Sequence, residues 1–194
     1  MWLHKFFENS GIYNLITTIF SFNNKRLKKY LPELLKVKDS DYLLDVGCGT
    51  GKYAIFSCNY VGIDPNEDYI NYAKKHHLGT FLKMDGTDIK FPDNTFNFVV
   101  NISTLHHVSD EITIKMTEEM KRVCKKDGYI YIIDAVYPSK INLLGYLLFK
   151  FDRGRYQRRF EELKNLLSKY NFEAVTDDVG KTFPYQWAVF SYKK

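Results

Sequence analysis

The chain has 194 residues, which suits one domain and is short for two. Its 45% hydrophobic and 26% charged residues are ordinary for a globular protein, and a net charge of +5 allows an anionic partner without requiring one. Three cysteines (Cys48, Cys58 and Cys124) fit neither a zinc site nor a disulfide framework. We therefore expect no metal and a reducing, cytoplasmic location. No apolar run approaches the roughly 18 residues of a membrane span, and the first residues do not resemble a signal peptide.

Apolar residues at helical spacing predict two helices in the N-terminal part. The first covers about residues 12–20 and the second about 27–35, where Pro32 is expected to break or kink it. A basic patch lies between them, with Lys25, Arg26, Lys28 and Lys29. We assign residues 1–38 to a helical lid over the substrate, in which Tyr13 is a candidate contact.

From residue 41 onward, predicted strands alternate with predicted helices. The strands are 42–46, 60–63, 80–84, 96–102, 129–136, 172–176 and 186–192. The helices are 50–56, 67–75, about 112–123 (stopped by Asp127-Gly128) and 156–170. This alternation predicts an α/β protein with a mostly parallel sheet covered on both faces. We assign 1–194 to a single domain, with its core at 39–136, a substrate-side insert and helix at 137–169, and final strands at 170–194.

A glycine-rich loop directly follows the first predicted strand, where residues 43–53 read LLDVGCGTGKY. Open parallel sheets bind ligands at such a strand-to-helix turn, and a helix start there offers free N–H groups to an anion. The loop matches neither the nucleotide phosphate-binding pattern nor the dinucleotide pattern, because Val46 and Lys52 stand where each needs a glycine. Asp45, just before the loop, would repel a pyrophosphate but suits an ammonium group.

Two further acids end the next two predicted strands. Asp64 has the position of a carboxylate that accepts from a ribose diol, and Asp85 is within reach of an exocyclic amine. A ligand with an ammonium, a carboxylate, a ribose and an adenine, and without phosphate, fits all three acids; S-adenosylmethionine is such a ligand. Each acid also has a structural interpretation: Asp45 as the cap of the turn, Asp64 as the start of the next helix and Asp85 as part of an Asx-turn.

Four successive segments resemble the ordered motifs of class I S-adenosylmethionine-dependent methyltransferases. They are LLDVGCGTGKY, YVGIDPN, FLKMDGTDIKFPDNTFNFVVNISTLHHVSD and EEMKRVCKKDGYIYIID, which together cover about residues 40–136. The type 11 branch, with small-molecule, quinone and wobble-uridine tRNA enzymes, is the most similar. The resemblance implies a Rossmann-like, seven-stranded, mostly parallel sheet whose last strand is antiparallel. The sequence differs from the family pattern at two places. The predicted helix after the glycine loop is shorter than usual, and Asp127-Gly128 precedes the fifth strand.

The resemblance also implies roles for individual residues, with S-adenosylmethionine as cofactor and S-adenosylhomocysteine as product. The cofactor-binding residues are Asp45, Gly47, Cys48, Gly49, Gly51, Asp64, Pro65, Asp85, Gly86, Asn101 and Ile102. Ile63 is expected to pack on the adenosine beside Pro65. The candidate general base is His106, which follows the fourth strand beside the expected methyl position.

The acceptor is expected to contact the lid and the insert. Candidate contacts are His107, Tyr13, Arg153, Arg155 and Tyr156, and an arginine-rich start of the insert's helix, with Arg158 and Arg159, either grips an anion or is solvated. The predicted activity is methyl transfer to an O or N atom of a small molecule, by a monomer or homodimer. The alternatives are a tRNA-modifying enzyme, a lipid or quinone enzyme at the membrane surface that uses the amphipathic stretch 11–36, and a non-catalytic cofactor-binding protein.

Overall fold

The computed structural model describes residues 22–56, 59–137, 155–176 and 186–194, with only the helix itself described for 22–26. Helix α1 (Phe22–Leu35) buries Leu27, Leu31 and Leu35, which recur every fourth residue along one face. The predicted break at Pro32 is wrong, because the helix continues to Leu35. Proline removes one helical hydrogen bond here, and burial of the flanking leucines offsets that loss. The other predicted N-terminal helix lies outside the described residues.

The remaining elements follow the predicted alternation of strands and helices. The strands are β1 (Tyr42–Val46), β2 (Asn59–Asp64), β3 (Thr80–Lys83), β4 (Phe96–Ile102), β5 (Cys124–Val136), β6 (Glu173–Thr176) and β7 (Gln186–Lys193). The helices are α2 (Glu67–His76), α3 (Asp110–Val123) and α4 (Phe160–Ser168), and a short 3₁₀-helix (Leu105–His107) follows β4.

The strands form one seven-stranded sheet in the order β3-β2-β1-β4-β5-β7-β6. The pairs β3–β2, β2–β1, β1–β4 and β4–β5 are parallel, whereas β7 is antiparallel to both of its neighbours. The predicted fold class is therefore confirmed, including the antiparallel last strand. The chain passes from β1 outward to β3 and then returns to β4 on the other side of β1, so a crevice opens between the carboxyl ends of β1 and β4.

Side chains that alternate along the central strands form an apolar core on each face of the sheet. Leu44, Val99 and Ile132 point to the first core, together with residues of α3 and α4. Leu43 and Val100 point to the second core, with residues of α1 and α2. Helices thus pack on both faces of the sheet and hold the strand ends in place.

Three predicted elements differ from the structure. Residues 50–53 form turns and residues 54–56 have no regular structure, so the predicted helix at 50–56 is wrong. Strand β5 begins at Cys124, so Asp127-Gly128 lies within an irregular strand and does not stop the preceding helix. Helix α4 begins at Phe160, where the Glu162 carboxylate accepts from the Arg159 N–H at 2.7 Å.

Candidate functional site

The glycine loop after β1 is held by main-chain hydrogen bonds. The N–H groups of Gly47 and Cys48 both donate to the Ile63 carbonyl, at 2.8 and 3.0 Å, and the Gly51 N–H donates to the Cys48 carbonyl. The Gly49 N–H donates to Asp64 Oδ2 at 3.0 Å. The expected row of free N–H donors at a helix start is therefore wrong, because no helix begins here and these four groups have partners within the protein.

The three loop glycines all have positive φ, but their surroundings differ. A Cβ on Gly47 would lie 2.6 Å from the Thr104 side chain, and one on Gly51 would lie 3.0 Å from the His77 ring. A Cβ on Gly49 would meet no described atom within 4 Å. Gly47 and Gly51 are thus required for packing against the protein, and Gly49 is where the loop faces open space that a ligand can enter.

Asp45 is the acid of β1, and its side chain is 1% exposed. Its Oδ2 accepts from the Tyr60 hydroxyl at 2.6 Å, and its Oδ1 has no hydrogen-bond partner among the described residues. Burial raises the pKa of Asp45 to about 7, the bond from Tyr60 opposes this rise, and the nearby Asp64 charge adds to it. Asp45 does not cap the turn, and its unpaired oxygen fits a donor from outside the protein, such as an ammonium.

Asp64 ends β2 beside the glycine loop. Its Oδ1 accepts from the Asn66 N–H at 2.8 Å and its Oδ2 from the Gly49 N–H, and burial is the main cause that raises its pKa. Asn66, not Asp64, caps α2. Each Asp64 oxygen can still accept a second hydrogen bond, which a ribose diol would supply. Pro65 is exposed beside it, whereas Ile63 is fully buried in the first core and the expected packing of Ile63 on an adenosine is wrong.

Asp85 and Gly86 follow β3. Asp85 is exposed, and its Oδ1 accepts from both the N–H and the hydroxyl of Thr87 at 2.8 Å, which is an Asx-type turn. A Cβ on Gly86 would lie 2.9 Å from Val46 and 3.0 Å from Met116. The structural interpretation of Asp85 thus holds for one carboxylate oxygen, and the small size of Gly86 serves packing.

The predicted residues Cys48, Asn101 and Ile102 are all buried. Burial, with the charges of Asp45 and Asp64, raises the pKa of the Cys48 thiol, so it is not a nucleophile. Asn101 donates from Nδ2 to the Val46 carbonyl at 2.7 Å and so joins the ends of β4 and β1. Its Oδ1 has no hydrogen-bond partner among the described residues.

His106 lies in the 3₁₀-helix after β4 and is 4% exposed. Its Nδ1 lies 2.5 Å from Asp134 Oδ1, and its backbone N–H donates to Asp134 Oδ2 at 2.8 Å. Asp134, near the end of β5, is 1% exposed. The exposed His107 ring packs against His106 with 4.1 Å between ring centroids. The structure thus brings together the candidate base and a carboxylate that orients it.

The described part of the insert meets the same loop. The Tyr156 N–H donates to the His106 carbonyl at 3.0 Å, and the Tyr156 side chain is 46% exposed beside the exposed Arg155. Arg158 is 8% exposed and donates to the carbonyls of Leu105 and Val108 and to Asp110. Neither expectation for Arg158 holds, since it is neither solvated nor free to grip an anion.

Tyr13 and Arg153 lie outside the described residues. The sequence interpretation missed two partners of the predicted residues, Tyr60 beside Asp45 and Asp134 beside His106. The sequence contains only one indication of Tyr60 and Asp134: each is a polar side chain in a predicted strand that is otherwise apolar. Among the described residues, no group of three or more His, Cys, Asp or Glu side chains is placed to hold a metal.

S-adenosylmethionine fits the donor set of this edge. The unpaired Asp45 oxygen suits its ammonium, the open side of Gly49 leaves room for it, and Asp64 retains acceptor capacity for its ribose. None of these groups attracts a phosphate. The residues present therefore match the cofactor that the sequence predicts.

Comparisons with known proteins agree with this geometry. Residues 44–132 match the family Methyltransf_11, described as a methyltransferase domain. The chain is 35% identical to a sterol 24-C-methyltransferase of Kluyveromyces lactis over 62% of this chain and 35% of that protein. It is 26% identical to a demethylmenaquinone methyltransferase of Listeria welshimeri, over 71% of this chain and 64% of that protein. The chain thus spans from about a third to somewhat under two thirds of these relatives.

One solved structure of a methyltransferase has a similar fold. The SAM-dependent methyltransferase from Aquifex aeolicus superposes with a TM-score of 0.69 and 25% identity, over 92% of this chain and 96% of that one. Residues 44–132 thus match a methyltransferase family, and the chain is similar in sequence and fold to S-adenosylmethionine-dependent methyltransferases.

Proposed function

We propose that this protein transfers the methyl group of S-adenosylmethionine to an O or N atom of a small-molecule acceptor. The observation that carries the proposal is the pair of carboxylates at the ends of β1 and β2, which meet at the glycine loop. Asp64 binds the Gly49 N–H, and Asp45 keeps one buried oxygen without a partner among the described residues. When bound, the cofactor supplies an activated methyl group, and the protein supplies alignment and, where the acceptor needs it, a base.

In this proposal each residue at the strand ends binds a different part of the cofactor. Asp45 binds the ammonium, Asp64 the ribose, and the remaining Asp85 oxygen the adenine amine. The loop glycines and Cys48, together with Pro65, Gly86, Asn101 and Ile102, form the walls of the cofactor site. We infer that the acceptor side is formed by His106, His107, Arg155 and Tyr156, and is completed by Tyr13 and Arg153.

Calorimetry with S-adenosylmethionine, S-adenosylhomocysteine and ATP tests this proposal. We expect micromolar binding of the first two and none of ATP, because Asp45 and Asp64 would repel its phosphates. Binding of ATP in preference to either S-adenosyl compound would contradict the proposal. The exposed pair Glu67–Lys83 offers a control, since Glu67→Gln removes a carboxylate outside the site and should leave affinity unchanged.

An apolar acceptor has more support than a tRNA. The two relatives above are named for a sterol and a demethylated menaquinone, which are a lipid and a quinone. The described part of the 11–36 stretch buries its leucines in the second core, so that apolar face is not available to a lipid surface. No helix in the described ranges is long and apolar enough to cross a membrane. A tRNA substrate would instead show steeply salt-dependent tRNA binding.

A further inference from the structure

Three elements meet on one side of the sheet: α1, the turns after the glycine loop and the end of α2. Leu27 of α1, Tyr53 of the turns and Ala73 of α2 all pack in the second core. A Cβ on Gly51 would lie 3.0 Å from the His77 ring and 3.1 Å from Ala73. The side chains that these elements leave exposed or half-buried beside those contacts form a surface, the α1–α2 face: Lys28, Lys52, Ile55, His77 and Leu78.

The apolar part of the α1–α2 face consists of two side chains that lie outside the helices and strands. Leu78, between α2 and β3, is 93% exposed, and Ile55, before β2, is 38% exposed. A leucine as exposed as Leu78 gains almost no free energy from packing within the chain. Single exposed apolar residues are common on globular proteins, so the meaning of Leu78 depends on the charges around it.

The segments that form the α1–α2 face contain no acidic residue. Residues 22–32, 46–63 and 69–84 hold eight lysines and arginines, whereas all 23 aspartates and glutamates of the chain lie elsewhere. Lys74 and Lys75 are exposed on the last turn of α2, next to the face. The face is therefore a surface of one sign, and it attracts anions more strongly than the modest net charge of the whole chain indicates.

The two lysines of the face lack acidic partners. Lys28 and Lys52 are half-buried, and neither forms an ion pair within the ranges that the structure describes. Burial, and then the charge of Lys28, lower the pKa of Lys52 to about 8. Burial, and then the charges of Lys28 and His76, lower the pKa of His77. These positive charges repel one another, and an anion from outside the chain would relieve that repulsion.

We propose that the α1–α2 face binds the surface of an anionic lipid bilayer. Leu78 and Ile55 enter the boundary between headgroups and acyl chains, and Lys28 and Lys52 contact the lipid phosphates. Interfacial binding of this kind combines buried apolar area with attraction to anionic lipids. A nucleic acid would also attract the lysines, but it would leave Leu78 exposed.

This inference goes beyond the proposed methyl transfer. None of the side chains of the α1–α2 face belongs to the proposed cofactor or acceptor contacts, so a bilayer and an acceptor would not compete for the same groups. An enzyme held at a bilayer would lie where an apolar acceptor dissolves.

Sedimentation with vesicles of phosphatidylcholine, alone or mixed with phosphatidylglycerol, tests the proposal on the full chain. We expect binding to the mixed vesicles only, and weaker binding as salt is added. Lys28→Gln should lower the partition coefficient about fivefold, which is the effect of one lysine near an anionic surface. Leu78→Ser should lower it about tenfold, because serine gains no free energy from entering the acyl boundary.

Two matched substitutions outside the face serve as controls. Lys115→Gln removes an exposed lysine of α3, which packs on the first core, and Val175→Ser removes a side chain of β6 that is 46% exposed. Both should bind the mixed vesicles as the wild type does. Losses as large as those of Lys28→Gln and Leu78→Ser would show that the contact is not specific to the α1–α2 face.

The other outcomes are also decisive. Equal binding to both kinds of vesicle, or to neither, would overturn the proposal. Unchanged binding of Leu78→Ser would reduce the face to a phosphate contact, and binding of single-stranded RNA without binding of vesicles would assign it to a nucleic acid. Lys28→Gln and Leu78→Ser should keep the affinity for S-adenosylhomocysteine in calorimetry. Vesicle binding needs no methyl acceptor, so failure of the proposed function would leave this result unchanged.

Discussion

Asp45 links cofactor binding to pH, because its buried carboxyl has a pKa of about 7. The group is mostly protonated at pH 6 and mostly ionised at pH 7.5, and only the ionised form attracts an ammonium. We expect affinity for S-adenosylhomocysteine to rise by about eightfold over this interval. Calorimetry at the two pH values measures it, and Asp45→Asn should flatten the dependence. A flat wild-type profile would mean that Asp45 does not bind the ammonium.

Tyr60→Phe provides a second test of the pKa of Asp45. The Tyr60 hydroxyl bonds to Asp45 Oδ2 and favours its ionised form. Without that bond the pKa should rise further, so the midpoint of the affinity profile should move to higher pH. A midpoint that stays in place would show that the titrating group is not Asp45.

Asp64 is expected to contribute the largest charged contact to the ribose. Asp64→Ala should weaken binding of S-adenosylhomocysteine by about 1.5–3 kcal/mol, because the diol loses a charged acceptor. The substitution also releases the Gly49 N–H, so loop order should change with it. Calorimetry against the Glu67→Gln control measures the loss. Unchanged affinity would show that the ribose lies elsewhere.

At the scale of elements, the glycine loop separates packing from ligand access. Gly47→Ala and Gly49→Ala each place a side chain at positive φ, which costs about 1–2 kcal/mol. Only the first also overlaps with Thr104. We therefore expect Gly47→Ala to lower the free energy of unfolding more, and Gly49→Ala to lose more cofactor affinity. Urea unfolding and calorimetry measure the two effects, and the opposite ranking would reject this division.

Arg158 is the main side-chain link between the insert and the segment 105–110. Arg158→Met removes the guanidinium donors to the Leu105 and Val108 carbonyls and to Asp110, and should lower the free energy of unfolding by about 1–3 kcal/mol. Arg159→Met is the matched control, because the Arg159 side chain is exposed and only its backbone N–H caps α4. Urea unfolding compares the two variants. Equal stability would mean that the segment is held by other contacts.

For the whole molecule, the sequence predicts features that depend on neighbouring residues better than features that depend on residues far apart in the chain. The strands and the acids at their ends were readable, because alternation and turn residues act over a few positions. The helix expected at 50–56 is wrong, and Tyr53 instead joins the second core, whose other members lie far away in the sequence. The contact between His106 and Asp134 could not be predicted for the same reason, since 28 positions separate the two residues. The roles of the strand-end acids as ligand contacts stay predictions.

The second core also contains a tryptophan that is suited to spectroscopy. Trp187 is 5% exposed, packs in that core and has no hydrogen-bond partner for its indole nitrogen among the described residues. An indole in such surroundings should fluoresce at short wavelength. The chain has one other tryptophan, Trp2, so Trp2→Phe would leave Trp187 as the single tryptophan. Trp187 pairs with Ala135 of β5, next to Asp134, and its emission would therefore give an optical signal from the strand that orients the base, without an attached dye.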